Sequence, residues 1–210
     1  MKATMSRPTA SAPRPPGRPR SARADRAILG AATELLVEQG FDAMTIEGVA
    51  ELAGVGKTTI YRRWPTKEDL VVAAVGGLSA DVAIPDTGSV REDLVGLLEQ
   101  MARLLSETVP GRALPRMVAE VAAGTGVGRA YADRVIGPRR AMFALVLRRG
   151  LERNELPADL DVELAIDMLM GPVIVRRLLG GPRGPSTKGL AGTIVDGLIA
   201  GVAARRTTAG

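Results

Sequence analysis

The chain has 210 residues, 46% of them apolar, and it contains neither cysteine nor histidine. This length predicts one large or two small domains. The missing residue types exclude disulfides, thiolate or Ser-His-Asp catalysis and nearly every zinc site, and leave chemistry by Asp or Glu open.

The positive charge is concentrated at the N-terminus. The formal net charge is +5, yet residues 1–26 carry seven basic side chains against Asp25, a net +6 that leaves −1 for the other 184 residues. A basic arm on a near-neutral body is typical of a protein that binds a polyanion, either nucleic acid or an acidic membrane. Residues 1–20 are rich in Pro, Arg, Ser and Ala, which predicts a disordered arm.

Membrane insertion and export are not predicted. The longest apolar stretch, residues 164–175, is interrupted by Asp167 and is shorter than the roughly 20 residues that a spanning helix needs. The basic N-terminus lacks the apolar segment of a secretory signal, and its prolines argue against an amphipathic transit helix. We therefore expect a cytoplasmic protein with no membrane partner.

From about Arg23 onward the pattern is helical. A first apolar face is followed by Gly40, at a position typical of a helix C-cap. Thr45 is the predicted N-cap of a short second helix, and a third ends at Pro65. Longer helices are expected at 66–75, 90–108, 112–123, 129–136, 139–154, 159–179 and 186–205. With no run of period two, the predicted fold class is all-α.

The second and third helices meet the geometric requirements of a helix-turn-helix unit. Ala50 provides the small residue that a close helix crossing needs, Gly54 accepts the positive φ of the turn, and Ile60 packs the third helix against the second. The outer face of the third helix then offers cations and hydroxyls for phosphates and base edges. Its candidate DNA contacts are Lys57, Thr58, Thr59, Tyr61, Arg62 and Arg63.

The residues and spacings of 26–75 resemble the DNA-binding domain of tetracycline-repressor (TetR) family regulators. The resemblance lies in Phe41 to Ala50, Ala53-Gly54-Val55, Ile60 to Trp64 and Lys67 to Leu70, and a looser one runs from Arg148 to Leu179. It implies that Thr45 and Lys67 hold phosphates and that Tyr61 contacts the backbone or a thymine methyl. It also places Lys57, Thr58, Thr59 and Arg62 at base edges.

Two glycine-rich strings have competing interpretations. Gly54-Val55-Gly56-Lys57-Thr58 resembles part of a phosphate-binding loop, but Glu51 occupies the position of the further glycine and no strand precedes it, so we reject that reading. In the arm, Gly17-Arg18-Pro19 half-matches a minor-groove hook. A solvated tail and an arm that enters the minor groove both stay open.

Three methionines of the long helices are candidate ligand contacts. Met101, Met117 and Met142 are either ordinary core filling or the adaptable wall of a pocket for an apolar small-molecule effector. The residue pattern alone does not choose between these alternatives.

The last two helices are the predicted dimer interface. The last helix carries an apolar ridge beside a stripe of small residues, and the helix before it is apolar on nearly all sides. This combination predicts a four-helix bundle across a two-fold axis. The interface residues are Leu169, Leu190, Ile194, Gly197, Leu198 and Gly201.

The domain prediction is a basic arm at 1–20, a three-helix DNA-binding domain at 21–70 and a larger helical effector-binding and dimerisation domain at 71–210. The predicted function is a sequence-specific transcriptional regulator, a homodimeric repressor that binds palindromic double-stranded DNA and is released by a ligand. We predict no catalytic residues, no metal and no cofactor. An architectural DNA-binding protein without an effector, and an enzyme of small apolar substrates, are the alternatives.

Overall fold

The computed structural model describes residues 20–76, 83–180 and 189–208. Every regular element in these ranges is helical, as predicted. The helices are α1 (Arg20–Ala43), α2 (Ile46–Ala53), α3 (Lys57–Tyr61), α4 (Lys67–Gly76), α5 (Val90–Glu107), α6 (Val109–Arg112), α7 (Leu114–Ala122), α8 (Gly126–Tyr131), α9 (Gly137–Glu152), α10 (Val162–Gly180) and α11 (Leu190–Thr208). The predicted arm lies outside the described residues except for Arg20. Across the described ranges, no helix has the length and apolarity that a membrane crossing requires.

Glycines interrupt α1 and end α2 at the predicted positions. The backbone of Gly40 leaves helical geometry with φ +84°, and Gly54 ends α2 in the left-handed conformation at φ +65°. Side chains other than glycine rarely adopt this region, so both turns depend on the missing Cβ. The third helix is shorter than predicted, because regular α geometry ends at Tyr61.

The first hydrophobic core crosses the predicted domain boundary. Ile28, Ile60 and Leu70 are fully buried in it, together with Met117 of α7 and Val135 beyond α8. The predicted division between residues 70 and 71 falls inside α4, which continues to Gly76 and buries Val71, Val72, Ala74 and Val75 in the same core. The short helices α2, α3 and α4 are therefore packed directly on the following part of the chain.

The second core is built by the long helices α5, α9, α10 and α11. Leu98, Leu147 and Ile166 are fully buried there. The start of α5 is fixed by Asp93, whose buried carboxylate accepts hydrogen bonds from the Thr87 backbone N–H (2.9 Å) and hydroxyl (2.8 Å). Because the side chain of Asp93 is fully buried, these hydrogen bonds replace those it would make with water.

A π-helical segment, Ala132–Ile136, joins α8 to α9 without a break in the helix. The sequence predicts an interruption at Gly137-Pro138 instead. Proline in a regular helix clashes with the carbonyl four residues earlier and offers no N–H. The wider π turn directly before Pro138 accommodates this residue, and the helix continues.

Candidate nucleic-acid interface

The short helix α3 presents polar side chains to solvent from a fixed base. Ile60 is fully buried against α1 and α2, whereas Tyr61 is 49% exposed and Thr58 and Arg62 are also exposed. A phenol, a hydroxyl and a guanidinium on one surface can contact phosphates, a thymine methyl or a guanine edge. These three residues stand where the sequence places them, and Thr59 beside them is half-buried.

Thr45 lies at the start of α2, two positions before Glu47, which contacts Lys57 of α3. Its hydroxyl oxygen accepts a hydrogen bond from the Gly48 N–H at 3.1 Å, which confirms the predicted N-cap. The hydroxyl can still donate its own hydrogen to a phosphate. Its capping role and the phosphate contact expected from the sequence are therefore compatible.

Lys57 is exposed but paired. Its ammonium contacts the Glu47 carboxylate at 2.8 Å, and this hydrogen bond lowers the pKa of Glu47 and raises that of Lys57. Both side chains are more than half exposed, so water and salt screen the pair. A phosphate bound at this surface would therefore compete with Glu47 for the Lys57 ammonium.

The structure places Arg63 differently from the sequence prediction. Its Nε contacts the Asp25 carboxylate of α1 at 2.7 Å, and its guanidinium also donates to the Thr59 carbonyl. With these contacts the Arg63 side chain is only 20% exposed. We therefore correct the prediction: Arg63 joins α3 to α1 and is left out of the proposed DNA contacts.

Lys67 also has an internal role. Its ammonium donates to the carbonyls of Phe41 (2.8 Å) and Met44 (3.1 Å) and lies 4.2 Å from the centre of the Phe41 ring. A third carbonyl, that of Asp42, is at 3.4 Å. The side chain thus holds the turn between α1 and α2 in place. The phosphate contact expected by resemblance requires Lys67 to leave these carbonyls.

A narrow cavity lies between α5 and α9, which we call the α5–α9 cavity. Its volume is about 30 Å³, enough for one or two water molecules. Met101 and Met142, two of the three candidate ligand contacts, line it, but Met117 is fully buried in the first core. We correct the prediction for Met117 accordingly. The full lining is Leu97, Gln100, Met101, Leu104, Arg139, Met142 and Phe143.

The comparisons with known proteins cover both halves of the chain. Residues 28–74 match the family described as bacterial regulatory proteins, tetR family, and residues 84–198 match the tetracyclin repressor-like C-terminal domain. The chain belongs to the TetR family. It is therefore a helix-turn-helix, DNA-binding transcriptional regulator.

Individual TetR-family relatives agree over most of the chain. The Bacillus subtilis regulator YdeS is 35% identical over 79% of this chain and 83% of its own length. The DNA-binding transcriptional repressor TetR of Mycobacteroides abscessus is 33% identical over 74% of this chain and 83% of its own. The crystal structure of the TetR-family regulator SCO0332 superposes with a TM-score of 0.65 at 32% identity, covering 86% of this chain and 98% of that one.

The predicted dimer residues divide into two groups in the structure. Leu169, Leu190 and Leu198 are buried inside the chain's own second core, while Gly197 and Gly201 are exposed on α11 and Ile194 is half-buried. We correct the prediction for the three leucines, because a residue packed internally cannot also face a partner. Apolar character alone does not distinguish a leucine packed inside the chain from one that faces a partner.

The surface of α10 carries an apolar stripe that the sequence analysis did not single out. Leu164, Met168, Val175 and Leu179 are each about half exposed or more, Leu179 being 84% exposed. Their spacings of four, seven and four positions place them on one side of the helix. This α10 stripe could have been found by separating the apolar residues of α10 into two faces.

Another residue missed at the sequence level is Arg139 in the wall of the α5–α9 cavity. It stands three positions before Met142, so the two share one side of α9. That spacing was an available signal. Within the described residues, no group of three or more acidic side chains is arranged to hold a metal ion.

Proposed function

We propose that this TetR-family regulator is a homodimeric repressor that reads a palindromic operator with α3 and is released by a small-molecule effector. The observation that carries the proposal is the exposed face of α3, Thr58, Tyr61 and Arg62, anchored by the fully buried Ile60. A repressor acts where the chromosome is, so we also propose a cytoplasmic location. The relative from Mycobacteroides abscessus is itself named a repressor.

Each side chain of α3 has a distinct task in this proposal. Arg62 donates to a guanine edge and thereby selects sequence, because a guanidinium matches the two acceptors of guanine. Tyr61, Thr45 and Lys57 contact the backbone and set the position of the helix in the major groove. Two copies of α3 related by a two-fold axis read half-sites one helical turn apart.

The α10 stripe is the proposed centre of the dimer interface, with a second copy of the chain as its occupant. An exposed apolar stripe that continues along the whole helix is uncommon on a monomer surface. Beside it, exposed Gly197 and Gly201 on α11 let another helix approach closely. Four helices, two from each copy, then form a bundle.

Effector binding in the α5–α9 cavity is proposed to favour a state with wrongly placed α3 helices. The effector must bind that state more tightly, since equal affinity for both states shifts nothing. Bacillus subtilis FadR, a fold neighbour with a TM-score of 0.69 at 20% identity, was crystallised with stearoyl-CoA. A protein of this fold can therefore bind a ligand much larger than the present cavity.

The contacts between α4 and the π segment offer the route between the two sites. Arg134 of that segment contacts Asp69 of α4 at 2.6 Å, and the hydrogen bond from Arg134 is the main cause of the lowered pKa of Asp69. Val135 is buried in the first core with α4. A movement of α9 therefore reaches the element directly next to α3.

The test of DNA recognition starts from randomised duplex DNA. Sequences that the protein retains are selected and then titrated in gel-shift assays. We expect an inverted repeat, and Tyr61→Ala is expected to weaken binding to it and to unrelated DNA alike. Arg148→Ala, an exposed cation on α9, is the control with unchanged affinity. Retention of DNA without any enriched sequence would indicate an architectural protein and reject the repressor proposal.

The dimer is tested by light scattering. Val175→Glu places a charge in the middle of the α10 stripe and is expected to give folded monomers with little affinity for the inverted repeat. Leu145→Glu changes an exposed leucine on α9 and is expected to leave the dimer intact. A dimeric Val175→Glu protein would contradict the proposed interface.

A further inference from the structure

Three cations at and near α3 are held by the protein in different ways. Arg63 is mostly buried and pairs with Asp25 of α1. Lys67 donates to backbone carbonyls of the turn between α1 and α2. Lys57 has a weaker restraint, a single contact with Glu47 in which both side chains are more than half exposed. Of these three cations, Lys57 is the one that a phosphate can bind by displacing a single exposed carboxylate.

The position of Glu47 keeps its carboxylate ionised beside this lysine. Glu47 lies in the first turn of α2, where the N–H groups at a helix start favour a negative charge. The hydrogen bond from Lys57 is the main cause of the lowered pKa of Glu47, and the backbone N–H of Glu47 itself lowers this pKa further. The carboxylate is therefore charged near pH 7 and available to hold the ammonium.

We propose that Glu47 limits the affinity of this regulator for DNA by keeping the Lys57 ammonium paired in the free protein. A phosphate of the bound duplex and the Glu47 carboxylate compete for the same cation. The contact of Lys57 with DNA therefore contributes only the difference in free energy between the two pairings. This inference rests on the proposed function, in which α3 binds DNA and Lys57 contacts the DNA backbone.

A purely structural role of the pair predicts the opposite effect on DNA binding. The contact joins α2 to α3, so a structural role means that loss of Glu47 loosens α3 and weakens binding. Exposed ion pairs, however, contribute little to folding, and the fully buried Ile60 anchors α3 in the first core. We therefore expect α3 to keep its position without Glu47 and DNA binding to become stronger.

Direct repulsion between Glu47 and DNA is a different explanation for stronger binding, and Lys57 distinguishes the two. Thr45, a proposed phosphate contact, lies only two positions before Glu47, so a phosphate bound there comes close to an acidic helix turn. Repulsion by the carboxylate acts whether or not a lysine is present. Competition for a cation requires the lysine, so its effect disappears when Lys57 is replaced.

The size of the expected gain depends on the number of pairs that DNA binding breaks. An exposed ion pair changes an equilibrium constant by a factor of about 1.5 to 5. A homodimer on an inverted repeat breaks two such pairs, so Glu47→Gln is expected to raise the affinity for the operator about three- to tenfold. The gain on scrambled DNA is expected to be equal or smaller, because no phosphate is fixed beside each lysine there.

The test is a double-mutant cycle on the full-length protein, measured by fluorescence anisotropy with the selected operator and with scrambled duplex at fixed salt. The four proteins are the unchanged chain, Glu47→Gln, Lys57→Gln and the double variant. We expect the gain from Glu47→Gln to fall below about twofold in the Lys57→Gln background. An unchanged or lower affinity of Glu47→Gln for the operator, or an equal gain with and without the lysine, would overturn the proposal.

Glu51→Gln is the matched control, because Glu51 is another exposed acid of α2. It removes the same charge from the same helix and is expected to change DNA affinity by less than about twofold. A gain equal to that of Glu47→Gln would reveal a general effect of charge and contradict competition for Lys57. Thermal melts of each variant check folding, and we expect unchanged melting temperatures because the substituted side chains are exposed.

Failure of the proposed function and failure of this inference give different results. If no operator is enriched from randomised DNA but Glu47→Gln binds scrambled DNA more tightly through Lys57, the competition stands and the repressor proposal is wrong. If an inverted repeat is enriched and its affinity does not depend on Glu47, the DNA recognition stands and the competition is wrong.

Discussion

The two cores of the molecule differ in how far apart in sequence their packed helices lie. In the DNA-proximal region, helices of 5 to 10 residues follow one another closely, and short local spacings fix their order. The larger region is built from α5, α9, α10 and α11, which contact each other across long stretches of sequence. Yet the short helices complete their core only with Met117, Val127, Tyr131 and Val135 from the larger region.

This difference shows that local sequence patterns specify the helices α2, α3 and α4, which we call the DNA-reading unit. The stability of this unit, however, depends on packing against residues that are distant in sequence. Short helices are marginal in isolation, because one turn of helix fixes several residues for a single hydrogen bond. Their stability must come from packing, and here part of that packing belongs to α7, α8 and the π segment. A ligand that moves those elements therefore acts on the reading unit directly.

The largest expected effect is from removing the shared packing altogether. A fragment of residues 1–76 loses every contact to Met117 and Val135 and is expected not to fold cooperatively. Circular dichroism during heating measures this, with the full-length chain as control. A sigmoidal transition of the fragment, with binding to a half-site, would show that the unit is autonomous.

A matched pair of methionines compares the two cores. Met117→Ala opens a cavity in the fully packed shared core and is expected to lower the free energy of unfolding by about 2–5 kcal/mol. Met101→Ala, which enlarges the existing α5–α9 cavity, is expected to cost less, about 2 kcal/mol. Urea denaturation measures both values. A larger loss in the free energy of unfolding for Met101→Ala than for Met117→Ala would contradict the expectation that the first core is the more tightly packed around its methionine.

A pair of glycines tests the contact between α4 and the π segment. A Cβ on Gly76 would lie 2.9 Å from the Val135 side chain, whereas one on Gly30 of α1 meets nothing within 4 Å. Gly76→Ala is expected to destabilise by about 1 kcal/mol through overpacking, and Gly30→Ala to stabilise by about 0.5–1 kcal/mol through helix propensity. If Gly76→Ala and Gly30→Ala raise the melting temperature equally, the contact between α4 and the π segment is not tightly packed.

The smallest expected effect concerns the pair of Arg134 and Asp69. Arg134→Gln is expected to lower stability by less than about 1 kcal/mol at neutral pH, because the arginine is mostly exposed. The hydrogen bond from Arg134 holds the pKa of Asp69 below its usual value. This contribution is complete above about pH 4, the unfolded pKa, and is lost as the pH falls. Thermal melts should show the larger difference between the two proteins at pH 7 and a smaller one at pH 3, because Asp69 becomes protonated as the pH falls below its usual pKa.

The sequence predicts features that depend on local geometry. Gly40, Thr45 and Gly54 end or begin helices as expected. Thr66 and Asp69 form a capping box at the start of α4, with a hydrogen bond of 3.0 Å from the Asp69 N–H to the Thr66 hydroxyl. Each of these depends on residues within four positions of each other, which a sequence pattern contains.

Features that depend on distant partners could not be predicted in this way. The Arg63 guanidinium is turned toward α1 because it pairs with the Asp25 carboxylate. The Lys67 ammonium binds backbone carbonyls that lie 23 to 26 positions away in sequence. Met117 looks like any other apolar helix residue until the two cores are distinguished. The π segment arises from a proline that the surrounding packing keeps within a continuous helix.

The neighbouring arginines Arg62 and Arg63 provide the most direct test that the exposed face of α3 reads DNA. The measurement is the ratio of affinities for the selected operator and for scrambled DNA, by fluorescence anisotropy at fixed salt. Arg62→Ala is expected to reduce this ratio about tenfold, while Arg63→Ala keeps it within about twofold and lowers thermal stability instead. An unchanged ratio for Arg62→Ala, or the larger loss in Arg63→Ala, would contradict the account.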